Sequence, residues 1–220
     1  MNETKWPVKA VSPIAPPGYK FIIITILLAG MLFYFGWVLP GCFFVFATLF
    51  VCWFFRDPNR QVPQDKNCLI SPADGKVIIA EKHVVCEYFS EPCFKISIFM
   101  NVLNVHVNRV PFDGVVEKVV YHPGKFMNAS FDKASIHNER NALIIKTTNG
   151  IRFAVVQIAG LIARRIVNCA AQGEFLKKGT RYGMIQFGSR LDLYLPENFD
   201  VAVKIGDKTQ AGKTIIGYLD

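Results

Sequence analysis

The sequence predicts a mainly β protein, α+β with little helix, in which a barrel- or sandwich-like β domain follows an N-terminal membrane helical hairpin. Two observations carry that expectation. Residues 21–55, FIIITILLAGMLFYFGWVLPGCFFVFATLFVCWFF, run for 35 positions without a charge, and an apolar run of that length reads as membrane. Beyond residue 67 the chain becomes a series of short runs rich in Val, Ile and Phe, punctuated by Asp-Gly and Asn-Gly pairs. That is the pattern of short strands and tight turns.

Residues 1–19 hold Pro7, Pro13, Pro16 and Pro17 and read as an irregular lead-in. The anchor follows at 20–55. A single straight helix over the apolar run would be about 52 Å long, well beyond a ~30 Å hydrocarbon core. Leu39-Pro40-Gly41 supplies a break, which divides the run into arms at roughly 21–38 and 42–55. Each arm is short, so a full span and a shallow re-entrant hairpin both fit. Lys5, Lys9 and Lys20 precede the hairpin, Arg56, Arg60 and Lys66 follow it, and its tip carries no charge. The positive-inside rule then places the following domain on the cytoplasmic side of the cell membrane. A cleaved signal peptide fits poorly, because the run starts late and is too long. The net charge is +8, which suits an anionic membrane surface. No basic-aromatic reader motif is present, so no nucleic acid partner is expected.

Residues 56–67, RDPNRQVPQDKN, form a polar linker, and 68–220 the β-rich domain. Asp74-Gly75 and Asp113-Gly114 read as tight turns, and Asn149-Gly150 between NALIIKTT and IRFAVVQI reads as a β-hairpin. One helix-like piece, LIARRIVNCAA at 161–171, places Leu161, Ile162, Ile166 and Val167 on one face. The six cysteines, Cys42, Cys52, Cys68, Cys86, Cys93 and Cys169, include no CxxC pair and no histidine at zinc spacing. They are expected to be reduced and structural, with no metal site.

Several segments carry groups capable of chemistry. FFRDPNR closes the hairpin and suits an interfacial anchor. In SPADGK, Asp74 is either a surface-turn residue or a carboxylate that orients a histidine. In NVLNVHVNRVP, alternation puts Asn104, His106 and Asn108 on one face. His122-Pro-Gly-Lys125 and His137-Asn138-Glu139-Arg140-Asn141 are polar loops, and Arg164-Arg165 is a solvated face or an anion site. In IQFGSRLDLYLP, Gly188-Ser189 interrupts a strand in which Leu191, Leu193 and Leu195 alternate. The pair is either a bulge or a site where the serine hydroxyl attacks the preceding carbonyl, glycine permitting the backbone distortion.

Five of these pieces, FFRDPNR, ISPADGKV, FMNVLNVHVNRVPFDG, YHPGKFMNASFDKAS with HNERN, and FGSRLDLYLP, occur in order from residue 54 to residue 196. Together they resemble the phosphatidylserine decarboxylase family in its short, membrane-anchored form. The resemblance implies a proenzyme that cleaves itself between Gly188 and Ser189 and converts Ser189 into a pyruvoyl group, the pyruvate cofactor. The products 1–188 and 189–220 would remain together as a heterodimer, with a higher oligomer compatible. The pyruvoyl carbonyl would form a Schiff base with the amine of phosphatidylserine, and loss of CO2 would give phosphatidylethanolamine. The family's Asp-His-Ser relay maps onto Asp74, His106 and Ser189. Longer members have two histidines in the segment matching 104–111; here Arg109 takes the second place. His106 would then serve maturation and proton return alike, or His137 or a water takes one role. Arg164, Arg165, Asn104 and His137 are candidate substrate contacts. The alternatives are a membrane-tethered β carrier or scaffold without catalysis, and the same reaction on another serine-headgroup lipid.

Overall fold

The computed structural model describes residues 13–124, 137–160, 165–186 and 189–219. The chain divides into two compact units, Lys9–Asn59 and Arg60 onward.

In the first unit, a 3-10 turn at Pro16–Gly18 leads into helix α1, Tyr19–Tyr34, and helix α2, Val38–Phe54, returns alongside it. The break therefore falls at residues 35–37, not at Leu39-Pro40-Gly41. Gly36 provides it with φ at +75°. Its N–H bonds Phe33 O at 3.0 Å and the Trp37 N–H bonds Leu32 O at 2.9 Å, the paired bonds of a Schellman C-cap. Pro40 lies in the first turn of α2, where no intrahelical N–H bond is required. Gly41 lets the helices approach: a Cβ there would sit 2.6 Å from the Phe33 ring. Thr48 Oγ1 meets Thr25 Oγ1 at 2.9 Å across the pair. Ala15 N–H to Phe55 O and Asp57 N–H to Pro13 O, both 2.7 Å, close its base.

The outside of this hairpin is apolar. Leu27, Tyr34, Leu39, Phe43 and Phe46 are all more than 60% exposed. Pro16–Tyr34 is long and apolar enough to cross a membrane; α2 is shorter. So large an apolar surface marks contact with lipid or another apolar partner.

The second unit is mainly β. Among the described residues its strands are β1 (Cys68–Ile70), β2 (Gly75–Val84), β3 (Cys93–Met100), β4 (Val107–Arg109), β5 (Gly114–His122), β6 (Arg140–Lys146), β7 (Arg152–Ala159), β8 (Ile166–Asn168), β9 (Phe175–Leu176), β10 (Arg181–Ile185), β11 (Ser189–Pro196), β12 (Asp200–Val201), β13 (Lys208–Thr209) and β14 (Ile215–Tyr218). They form an eight-stranded sheet, β13-β2-β3-β11-β7-β6-β5-β9, and two three-stranded sheets, β1-β14-β12 and β4-β10-β8. β11 is central, antiparallel to both β3 and β7. Leu191, Leu193 and Leu195 on its inner face join Ile96, Ile98, Val155 and Leu143 in the main core. Tyr194 on the other face packs with Ala154, Val156 and Ile144 in a second cluster. Burial on both faces explains why β7 reads as a nearly continuous apolar run, whereas β3 alternates, with Lys95 and Ser97 on the face that carries Asp192.

Four expectations change. The 161–171 segment does not form one helix: Ile166–Asn168 is a strand paired with β10, and 161–164 lie outside the described residues. β-branched Ile166 and Val167 suit the extended backbone that β10 offers. Asp74-Gly75 and Asp113-Gly114 are not hairpin tips, since β1 pairs with β14 rather than β2, and β4 with β10 rather than β5. Their glycines begin long strands under a neighbouring backbone. A Cβ on Gly75 would run into Phe99 O, and one on Gly114 would sit 2.6 Å from Lys146 O. The Asn149-Gly150 hairpin does join β6 to β7, with Gly150 φ at +84°. Gly188-Ser189 does not interrupt one strand. β10 ends at Ile185 in one sheet, and β11 begins at Ser189 in another. Lastly, part of the 56–67 linker is bound to the β unit. Val62 packs on Gly179, Lys178 Nζ donates to Asp65 O, and Leu219 N–H bonds Asn67 O at 3.0 Å.

Candidate active site

The sheet register assembles the site at one end of β11. Ser189, its first residue, lies opposite Met100 on β3 and Ala159 on β7. On the far side of β3, Lys76 pairs with Phe99, which brings Gly75 and Asp74 beside Met100. With strands about 4.8 Å apart, the Asp74 and Ser189 backbones are two strand spacings, roughly 10 Å, apart. Any relay between them needs a bridging side chain. His106 is fully buried and immediately precedes β4. Its neighbour Val107 pairs with Met184, so His106 sits where β10 ends at Ile185, four residues before Ser189.

Ser189 is itself fully buried, and its Oγ has no hydrogen-bond partner among the described residues. Its side chain points to the inner face, with Leu191 and Leu193. Gly188 lies outside the described residues. The Asp74 carboxylate is held by Arg60, Nη1 to Oδ1 at 2.5 Å and Nη2 to Oδ2 at 2.8 Å, and by the Ala211 N–H to Oδ1 at 2.8 Å. The Arg109 N–H bonds Pro72 O at 2.9 Å, tying the 71–74 loop to β4.

Gln157 and Asn141 line the inner face beside Ser189. Asn141 Nδ2 reaches Gln157 Oε1 at 3.4 Å, Gln157 Nε2 donates to Asn108 Oδ1 at 2.9 Å, and Asn108 Nδ2 lies 3.8 Å from Met100 Sδ. This buried amide chain runs under β11 to the residue opposite Ser189. Sequence reading singled out Asn108 and the HNERN segment but not Gln157. The available signal was a lone amide inside the apolar run FAVVQIA, since a buried polar side chain needs partners.

The remaining candidates are dispersed. Neither Asn104 nor His106 lies on the strand that holds Asn108: β4 begins only at Val107, and Asn104 Oδ1 accepts the Asn101 N–H at 2.9 Å in a turn. Backbone closure by that asparagine ends the alternation early. His137 is exposed, next to Asn138, whose Nδ2 donates to Ala159 O at 2.7 Å, directly across from Ser189. Arg165 is exposed, and its carbonyl accepts the Gln186 N–H at 3.2 Å, close to the start of β11. Arg164 lies outside the described residues. Arg109 is buried, with Nη1 on Gly179 O at 3.1 Å.

Two other features lie away from this end. A cavity of about 1120 Å³, lined in part by Tyr88, Phe89, Glu117, Arg152 and Pro196, opens at the opposite end of β11, about 24 Å along an eight-residue strand. The described cysteines are free, and Cys86 Sγ lies 3.4 Å from Cys93 Sγ. Burial, with the Cys86 contact, pushes the Cys93 thiol up to about 12.

The family model for phosphatidylserine decarboxylase matches residues 47–217. A phosphatidylserine decarboxylase proenzyme of Geobacter metallireducens is 50% identical over 213 residues, 94% of this chain and 97% of its own. Those of Syntrophus aciditrophicus and Ralstonia pickettii are each 48% identical, over 93% and 94% of this chain and 96% of their own. The residues matched by the family model take in the buried Ser189 end of β11. The chain belongs to the phosphatidylserine decarboxylase family and is a decarboxylase.

Proposed function

We propose that this enzyme decarboxylates phosphatidylserine to phosphatidylethanolamine with a pyruvoyl group made from its own Ser189. The observation that carries the reading is the position of Ser189: a buried hydroxyl on the first residue of the central strand, where the chain passes from one sheet to another. A proenzyme name on its relatives agrees with self-cleavage there.

Maturation then proceeds on the chain itself. His106 takes the proton of Ser189 Oγ, and Oγ attacks the Gly188 carbonyl carbon. The peptide C–N bond breaks and the acyl group moves to oxygen as an ester. Loss of the Ser189 Cα proton and cleavage of its Cβ–O bond free the Gly188 carboxylate. Water then replaces the nitrogen, which leaves as ammonia. Asp74 orients His106 in this scheme, as a carboxylate orients the histidine of a serine triad.

Residues at this end of β11 suit the group. The inner face offers a polar floor, Asn108, Gln157 and Asn141, in an otherwise apolar core. The pyruvoyl carbonyl supplies an electrophile for the lipid's amine and an electron sink as CO2 departs. His106, with His137 as the alternative, returns a proton to the carbon that lost CO2. Arg165 and Arg164 meet the lipid phosphate as charged donors, and Asn104 is a further headgroup contact. The hairpin holds the enzyme in an anionic bilayer, with the catalytic unit on the cytoplasmic side. The two products, 1–188 and 189–220, stay together.

Intact mass under denaturing conditions tests this. Two chains split after Gly188 are expected, the shorter lighter by one ammonia than simple hydrolysis leaves it, and Ser189→Ala abolishes the split. A single unmodified chain from a preparation that decarboxylates the lipid overturns the mechanism.

A further inference from the structure

Asp74 is not an exposed turn residue. It is 8% exposed, and Arg60 grips it from the segment that follows the hairpin, with only 9% of the arginine side chain accessible. The fork is bidentate, and Arg60 Nη1 also donates to Ala211 O at 2.7 Å. The Ala211 N–H returns a bond to Asp74 Oδ1 at 2.8 Å. Arginine, carboxylate and the main chain of Ala211 therefore close a ring of four hydrogen bonds. Thr209 Oγ1 on Ala73 O at 3.0 Å and the Gly212 N–H on Ser71 O at 2.8 Å fix the two loops around it.

A carboxylate has about four acceptor sites. Oδ1 uses two, on Arg60 and Ala211, and Oδ2 uses one, on Arg60. Among the described residues one site on Oδ2 remains. We propose that Arg60 is a positioning residue for self-cleavage: its fork fixes the Asp74 carboxylate so that the open site of Oδ2 serves the relay histidine. The proposal rests on Asp74 acting in maturation, as above. A planar guanidinium sets the rotation of a carboxylate in a way that a lysine ammonium does not. Ala211 belongs to the 189–220 segment, so the same ring registers Asp74 against the segment that begins with Ser189.

The test follows the appearance of the two chains after cell-free synthesis into lipid nanodiscs. Wild type is compared with Arg60→Ala, Arg60→Lys and Asp74→Asn, with Ser189→Ala as the uncut baseline. Loss of positioning is expected to slow Arg60→Ala on the order of 10²-fold, with Arg60→Lys in between. Millimolar guanidinium is expected to restore part of the Arg60→Ala rate, a rescue that a merely structural role would not show. Asp74→Asn blocked with both Arg60 variants at the wild-type rate overturns this proposal alone. Equal slowing of the two Arg60 variants without rescue also overturns it, by making Arg60 structural. If Arg60→Ala does not fold, Arg60→Lys decides, and a wild-type rate refutes the proposal. Asp74→Asn at the wild-type rate removes Asp74 from the relay, which is the failure of the earlier reading.

Discussion

Replacing Arg190 by leucine should destabilise the β unit by about 3 kcal/mol, and adding Asp192→Leu should recover most of that loss. Both side chains are fully buried on the outer face of β11. Arg190 Nε bonds Asp192 Oδ1 at 2.6 Å, and Nη2 bonds Oδ2 at 2.9 Å. Lys95 Nζ stands 3.5 Å from Oδ2. Removing one partner of a buried ion pair costs about 3–5 kcal/mol, because the other charge stays desolvated. Lys95 remains as a second cation for Asp192, which places the single variant at the low end of that range. Replacing both charges by apolar groups is often near neutral, and Lys95, which then loses Asp192, keeps some contact with water and the Tyr194 ring at 5.6 Å, so the double variant should fall within about 1 kcal/mol of the parent. The coupling energy is then about 2 kcal/mol or more. Urea unfolding in micelles, on the Ser189→Ala background so that the chain stays whole, measures it. Far-UV circular dichroism is the suitable probe, since Trp6, Trp37 and Trp53 all precede the β unit. A single variant within 1 kcal/mol of the parent, or a double variant as unstable as the single, refutes the reasoning.

Three other outcomes are expected. Burial pushes the Asp192 carboxyl up, but the Arg190 bonds and the Arg190 and Lys95 charges outweigh it and hold the group below its ordinary range. Its stabilisation is therefore complete above about pH 4, the unfolded-chain value, and is lost as pH falls through the lower folded value; unfolding midpoints against pH should flatten on the acid side in Asp192→Asn. Gly75→Ala forces a Cβ against Phe99 O and should cost about 1–3 kcal/mol, read as a fall in melting temperature, with slower self-cleavage because Asp74 is its neighbour. Gln157→Leu takes the donor from Asn108 Oδ1 and the acceptor from Asn141 Nδ2, at about 1–3 kcal/mol for each group left buried; thermal melts and cleavage rates should both fall, and an unchanged melt would show that the amide chain does not support the core.

Much of the fold is legible locally. The uncharged run over 21–55 marks the hairpin, and Asn149-Gly150 marks β6–β7, because each depends on neighbours in the chain. What the sequence hides is non-local. Asp74-Gly75 looks like a turn pair, and only the approach of Phe99 O reveals why glycine is needed. Pro40 is the stronger breaker on paper, yet Gly36 ends the helix, since proline is harmless in a first turn. The 161–171 apolar spacing suits a helix until β10 offers a ladder. The site divides in the same way. Ser189, His106, Asp74 and Arg60 stand in recognisable motifs, but Arg60, like Gln157 outside any motif, acquires its neighbours only when the sheet closes. Nothing near Arg60 in sequence points to Ala211.

If the chain divides after Gly188 as proposed, the placement of Ser189 between sheets bears on what the molecule then becomes. β10 stops before the junction and β11 starts at Ser189, so scission at 188–189 would leave the pairing of residues 190–196 in place. The new terminus opens a strand gripped along both edges, by β3 for all eight of its residues and by β7 for six. On the proposed cleavage, the short product would therefore behave as a permanent subunit. Isotopically labelled and unlabelled molecules, once matured, should not trade their short chains when mixed, and only unfolding of the whole sheet should release them. A cell could then not replace a damaged pyruvoyl terminus by supplying a fresh short chain; under the proposed maturation each molecule would carry the one it made until it is degraded.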